Sequence, residues 1–173
     1  MTDPARVQEI MQQRAAALAR PKVDETKTED AVELLVVQVG AERFGIDVRN
    51  AREVFPLDAL AEIPGVADDW AGIINRRGVI YPVISAGRYL GTRSSAPAEN
   101  AYVVLLRAPD EAVGLLVDAV LGLESVASHA INELGRGSGE RSEAIEGVTD
   151  DMLAVLDIHS ILDDLQPTPE EEP

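Results

Sequence analysis

Residues 70–84, WAGIINRRGVIYPVI, constrain the fold more than any other stretch. Apolar Ile73 and Ile74 lead into Asn75-Arg76-Arg77-Gly78, and Val79, Ile80, Val83 and Ile84 lead out. Two β-branched runs around a polar turn that ends in glycine read as a β-hairpin. Gly78 can take a positive φ at the end of the turn, where a side chain would clash. Asn75 suits the turn because its short amide bonds to nearby backbone. Pro82 has no N–H for a ladder, so its strand is expected to be an edge or to be bulged. The tip then presents two arginines on a chain of net charge −16. An exposed charge usually only solvates a loop, so the weight of this tip depends on its surroundings.

Those surroundings are strands of the same kind. Residues 33–39 (ELLVVQV) are one, with Gly40-Ala41-Glu42 as the turn. Phe44, Ile46 and Val48 then alternate with Gly45, Asp47 and Arg49, a period of two. Ala51, Val54, Phe55 and Leu57 continue the apolar supply, Ile63-Pro64-Gly65 turns, and residues 66–70 are expected to make one helical turn. Trp70 is expected to be at least partly buried. Residues 85–90 read as a short helix stopped by Gly91, residues 92–99 and 135–142 as loops, and 109–111 as a turn. Residues 101–106 and 113–120 read as strands, 124–134 as mixed, and 145–148 with 152–158 as a last strand pair. A closing helix is expected over 159–165.

Outside this β-rich region the pattern changes. Thr2-Asp3-Pro4 starts a helix, and Val7, Ile10, Met11 and Leu18 recur at helical spacing until Pro21. The stripe fits packing on its own domain and docking on a partner equally well. Four segments follow: an N-terminal amphipathic helix over 1–21, a polar linker over 22–31, a compact domain over 32–165, and an acidic tail over 166–173 expected to be disordered.

The chain also echoes itself. ERFGIDVRNAREV from Glu42 lies over EAVGLLVDAVLGL from Glu111, which matches Gly45 with Gly114. GIINRRGVIYPVI echoes GVTDDMLAVLDI, which matches Gly72 with Gly147. The echo implies two similar β-units with strands punctured by glycine where a barrel bends. Neither unit can bury much surface alone, so the two should share one core.

The chemistry is mostly that of absence. With no cysteine there is no disulfide frame, thiolate metal site or cysteine nucleophile. His129 and His159 have no histidine neighbour at ligand spacing. The pairs Asp150-Asp151 and Asp163-Asp164 are adjacent, and on a strand adjacent side chains diverge. GRGSGE lacks the Lys-Ser/Thr of a phosphate loop. No G-x-S-x-G elbow occurs. A net charge of −16 and 3% aromatics disfavour nucleic acid. Neither a signal-peptide core nor an apolar run of membrane-spanning length is seen. The expectation is a cytoplasmic, non-catalytic binding module without cofactor or metal. An unrelated small β-barrel binder and an enzyme with an unrecognised pocket are the competing classes.

Four segments in order, FGIDVRNAREV, IPGVADDWAGIINRRGVIYPVI, VGLLVDAV and IEGVTDDMLAVLDIHSIL, give residues 33–165 a resemblance to the CheW family of chemotaxis adaptors. The resemblance implies a mainly β fold: two small five-stranded, SH3-like β-barrels sharing one hydrophobic core, with short helices and here an N-terminal helical extension. It implies a non-catalytic adaptor that couples a CheA-type histidine kinase, through its regulatory domain, to the cytoplasmic tip of chemoreceptors, recruited from the cytoplasm to membrane-associated receptor arrays. Carried over by position, receptor contacts fall on Glu53, Gly72, Arg77 and Gly78, and the kinase contact falls near Val54. The sequence departs from the family pattern at Arg76, where leucine is usual, and at Ser85-Ala86-Gly87, where Asp-Leu-Arg is usual. A pathway serving pili, gliding or gene expression is the alternative to flagellar chemotaxis.

Overall fold

A computed structural model describes residues 30–92, 99–109, 111–134 and 142–165. The expected N-terminal helix, the loop over 135–141, the acidic tail and most of the loop after Gly91 lie outside the described residues. Eleven strands are described: β1 (Ala31–Val39), β2 (Glu42–Asp47), β3 (Ala51–Pro56), β4 (Trp70–Arg76), β5 (Val79–Ser85), β6 (Tyr102–Leu106), β7 (Val113–Val117), β8 (Ala119–Ala127), β9 (Ile131–Asn132), β10 (Ile145–Thr149) and β11 (Ala154–Leu156). Two α-helices accompany them, α1 (Ala86–Leu90) and α2 (Ile158–Leu165). The strands form two sheets, in the orders β8-β1-β2-β11-β10-β9 and β3-β6-β7-β5-β4. The first carries six strands and not five, because the two-residue β9 joins its edge.

The two orders express the internal echo. Each half of the chain supplies a hairpin, a lone strand, a second hairpin and a helix. The hairpins β1–β2 and β6–β7 correspond, and so do β4–β5 and β10–β11. Each sheet has one parallel contact, β2 with β11 and β5 with β7. In those contacts Gly45 sits opposite Val155, and Gly114 opposite Val83. The lone strands are exchanged: β3 leaves the first hairpin to pair with β6, and β8 leaves the second to pair with β1. The two units are therefore interlaced.

Asp118 makes one of these exchanges. The strand expected over 113–120 ends at Val117, because the Asp118 backbone N–H donates to the Gln38 carbonyl (2.9 Å) and its carboxylate accepts from Gly40 N–H (2.6 Å). Those two bonds tie the chain to the β1–β2 turn and send it on as β8. The helical turn expected over 66–70 is also corrected. Only a turn bond from Trp70 N–H to the Ala67 carbonyl forms, and Trp70, half-buried as expected, already starts β4. Pro82 lies in β5, an interior strand and not an edge. It sits one residue before the β5–β7 ladder opens at Val83, where a missing N–H is tolerated.

Period-two alternation assigns the apolar side chains to three layers. Leu35, Val37, Phe44 and Ile46 of the first sheet meet Ile84, Val104, Leu106, Leu115 and Val117 of the second in one shared core, with Ile158, Ile161 and Leu162 of α2. Leu34, Val36, Leu153 and Val155 fill the interior of the first sheet. Phe55, Ile74, Val83, Val103, Leu105 and Leu116 fill that of the second. Strands β1, β6 and β7 are thus covered on both faces, which is why they read as unbroken apolar runs. A fully buried Leu or Val contributes about 1.5–3 kcal/mol, so the shared layer alone binds the sheets into one unit.

Candidate functional site

The central hairpin forms around a two-residue turn. Arg76 pairs with Val79, leaving Arg77 (φ 53°) and Gly78 (φ 85°) as the loop. Two successive positive φ values match the right-handed twist of the flanking strands. The Asn75 side chain holds the turn by accepting from Gly78 N–H (2.9 Å). The polar tip expected over 75–78 therefore divides. Arg77 and Gly78 are tip, whereas Arg76 is a strand residue.

That division decides what each arginine does. Arg76 shares a face of β4 with Ile74, so its side chain runs over the mouth of the second sheet. Its guanidinium lies 4.2 Å from the centre of the Phe55 ring. It donates from both Nε (3.2 Å) and Nη2 to Oε1 of Glu53 on β3. Strands β3 and β4 are the two edges of their sheet, so this pair draws one edge to the other and closes a barrel through side chains. Arg77 approaches the same Glu53 oxygen only to 3.8 Å and is 79% exposed. The hydrogen bonds from Arg76, helped by the charges of Arg76, Arg77 and Arg52, hold the Glu53 carboxyl below the usual carboxylate range. Beside this pair a cleft of about 410 Å³ lies between residues 55–59 and 74–77, with Phe55, Leu57 and Ile74 as its apolar lining.

Gly72 is buried and offers no side chain. Its φ is 146°, and a Cβ built on it would sit 2.2 Å from the Ala61 carbonyl oxygen. The space belongs to a bridge in which Ala61 and Ile73 exchange two backbone hydrogen bonds of 2.9 and 2.8 Å. Gly147 has the corresponding place in β10, where a Cβ would lie 2.7 Å from the Asn132 carbonyl oxygen. Val54 is 37% exposed and stands opposite Val104 in the β3–β6 ladder. Successive strand residues point to opposite faces. Glu53 and Val54 therefore serve two sides of one strand.

A second charged cluster lies on the first sheet. Asp47 accepts from Arg49 through the backbone N–H (2.9 Å), Nε and Nη2. Those bonds hold its carboxyl below the usual range despite its burial. Burial, followed by repulsion from Asp157 and Asp47, pushes the Glu146 carboxyl up. Among the described residues no cluster of three or more His, Asp or Glu side chains is placed to hold a metal ion. No described helix is long and apolar enough to cross a membrane.

The structure thus brings Glu53 and Arg77 together at one end of the second sheet, with Gly78 in the turn and Gly72 on the same strand as Arg76. It adds two residues that sequence reasoning had not assigned a role, Arg76 and Phe55. The available clue was register: a two-residue loop ending at Gly78 places Arg76 in the strand, facing as Ile74 does.

The fold is an interlaced pair of small β-sheets with a charged hairpin at one end. Residues 33–166 match the CheW-like domain, and the chain belongs to that family. It is 27% identical over 134 residues to the chemotaxis protein CheW of Klebsiella aerogenes, a match covering 75% of this chain and 81% of that protein. It is 25% identical over 135 residues to the chemotaxis protein CheW of Thermotoga maritima, covering 77% and 89%. The crystal structure of the scaffolding protein TtCheW from Thermoanaerobacter tengcongensis superposes with a TM-score of 0.67 at 25% identity, over 73% of this chain and 84% of that one.

Proposed function

We propose that this chain, a chemotaxis scaffold of the CheW-like family, couples a CheA-type histidine kinase to the cytoplasmic tip of chemoreceptors and has no catalytic activity of its own. It works in the cytoplasm, at membrane-associated receptor arrays. The receptor meets the hairpin end, at Glu53, Arg77 and Gly78, with Gly72 holding the strand beneath. The kinase regulatory domain meets the patch around Val54. Residues 32–165 are the coupling domain, and residues 1–21, 22–31 and 166–173 are appendages to it.

The observation that carries this reading is the Arg77-Gly78 tip. It is a two-residue turn, closed by the Gly78 N–H bond to the Asn75 side chain, that projects a guanidinium from a chain of net charge −16. A planar guanidinium makes paired hydrogen bonds to carboxylates that lysine cannot reproduce. Glu53 and Val54 lie on opposite faces of β3, so two partners can be held at once without overlap.

The test is Arg77→Glu. Affinity for a receptor cytoplasmic fragment should fall roughly 10- to 100-fold through lost and reversed charge. Affinity for the kinase regulatory domain should stay within twofold, and melting should be nearly unchanged because the side chain is exposed. Equal receptor affinities for parent and variant would refute the placement of the receptor.

A further inference from the structure

Arg76 and Arg77 compete for one acceptor. Both guanidinium groups reach toward Oε1 of Glu53, and Arg76 holds it, with two donors against a single 3.8 Å approach. Arg76 is also the better prepared of the two. Its backbone is fixed in the ladder opposite Val79 and its guanidinium lies over the Phe55 ring, so little side-chain freedom remains to be lost. Arg77 springs from a turn and is 79% exposed.

We propose that Arg76 determines the specificity of the receptor face, because by engaging Glu53 and covering Phe55 it leaves the Arg77 guanidinium as the group offered to a partner. The inference rests on the coupling reading above and adds the chemistry of the partner. With Glu53 engaged, three arginines, Arg52, Arg76 and Arg77, stand against two carboxylates, Glu53 and the cleft-lining Asp58, so the end of the sheet carries a small positive excess on an otherwise acidic molecule. The adjoining cleft, lined by Phe55, Leu57 and Ile74, takes an apolar side chain. The fitting receptor segment carries a carboxylate beside an exposed apolar residue. A basic segment meets Arg77 and is repelled. The hydrogen bonds from Arg76 favour the ionised Glu53 carboxyl and hold it below the usual carboxylate range, in agreement with this arrangement.

Arg76→Leu separates the alternatives. Without Arg76, Glu53 captures Arg77, and a partner must pull it away. Relaxation of the arginine Nε–H groups should show Arg77 more mobile than Arg76 in the parent, and more ordered in Arg76→Leu. Affinity for a purified chemoreceptor cytoplasmic fragment should fall roughly 2- to 6-fold, as for a site whose competent state is held back by an exposed ion pair. Kinase affinity should not move. Arg76→Lys keeps the charge without the fork or the guanidinium over the ring and should fall between the two. An Arg77 as ordered as Arg76 in the parent, or unchanged in Arg76→Leu, overturns the proposal. A parent that binds the fragment no better than Arg76→Leu does so as well. A parent that binds no receptor fragment at all overturns the coupling reading, and the specificity role falls with it.

Discussion

Replacing Gly72 with alanine should test how the hairpin end is built. The perturbation has two parts. At φ 146° an alanine is strained, at a cost of order 1–3 kcal/mol. The added methyl would also lie 2.2 Å from the Ala61 oxygen. Ala61 must then withdraw and release the two bridge hydrogen bonds to Ile73, each worth about 0.5–1.5 kcal/mol net. The two costs overlap, since relaxing the backbone eases the contact, and together they come to about 2–4 kcal/mol. For a domain of this size roughly 3 °C accompanies each kcal/mol, so the melting temperature should fall by about 6–12 °C. Gly65→Ala is the control. Its φ is 84° with open space around it, so it should lose only the conformational part, about 1–2 kcal/mol. Calorimetry on both variants, with amide exchange at Ile73, reads the difference. A Gly72→Ala protein as stable as Gly65→Ala, with Ile73 still protected, would refute the argument that the Ala61 bridge dictates glycine there.

Three further outcomes are expected. Gly114→Ala should destabilise by about 1–3 kcal/mol and Gly45→Ala by less, as read by chemical denaturation. A Cβ at 114 lies 2.9 Å from Val103 Cγ1 and 3.1 Å from Val83 Cγ2, both stiff at χ1, whereas at 45 it meets leucine tips that can swing. Glu146→Gln should raise the melting temperature at pH 7. A carboxyl pushed up by burial destabilises the fold once it ionises, so the gain should fade as pH falls to the ordinary glutamate value near 4.3, and melting curves from pH 4 to 8 check it. Unfolding should be a single transition because one core joins both sheets, and two separated calorimetric peaks would contradict that.

Much of the fold was legible where local rules and burial agree. Gly78 after a polar turn, Gly40 between two apolar runs, and Gly91 at the end of a short helix all did in the structure what their chemistry predicts, and the helix expected from Ser85 begins one residue later. Ser85 caps Arg88 N–H at 3.3 Å, and Gly91 ends the helix at φ 73°. The matched glycines also told of two related units. The exchange of β3 and β8 was not legible. A run such as YVVLL says that both faces are covered, and nothing in it says by which sheet. Asp118 looked like a polar residue within one strand, because its role as a divider rests on Gln38 and Gly40, far away in sequence. The site was half legible. Glu53 and Arg77 were named from the sequence and stand together at the hairpin, while Arg76 was taken for a tip residue because the turn was read two residues too long on that side.

The exchanged strands also order events in time. All five strands of the second sheet come from residues 51–117, an unbroken stretch, so its strands can pair before the remainder of the chain is available. The first sheet cannot be completed so early. Ala31 must find Ala127, and Phe44 must find Ala154, and contacts so distant in sequence form slowly because long loops have to be closed first. On a ribosome, β1 and β2 emerge first and are completed last. Until β8 and β11 arrive, Leu34 and Val36 stand uncovered beside an unpaired strand edge, the combination that draws nascent chains together.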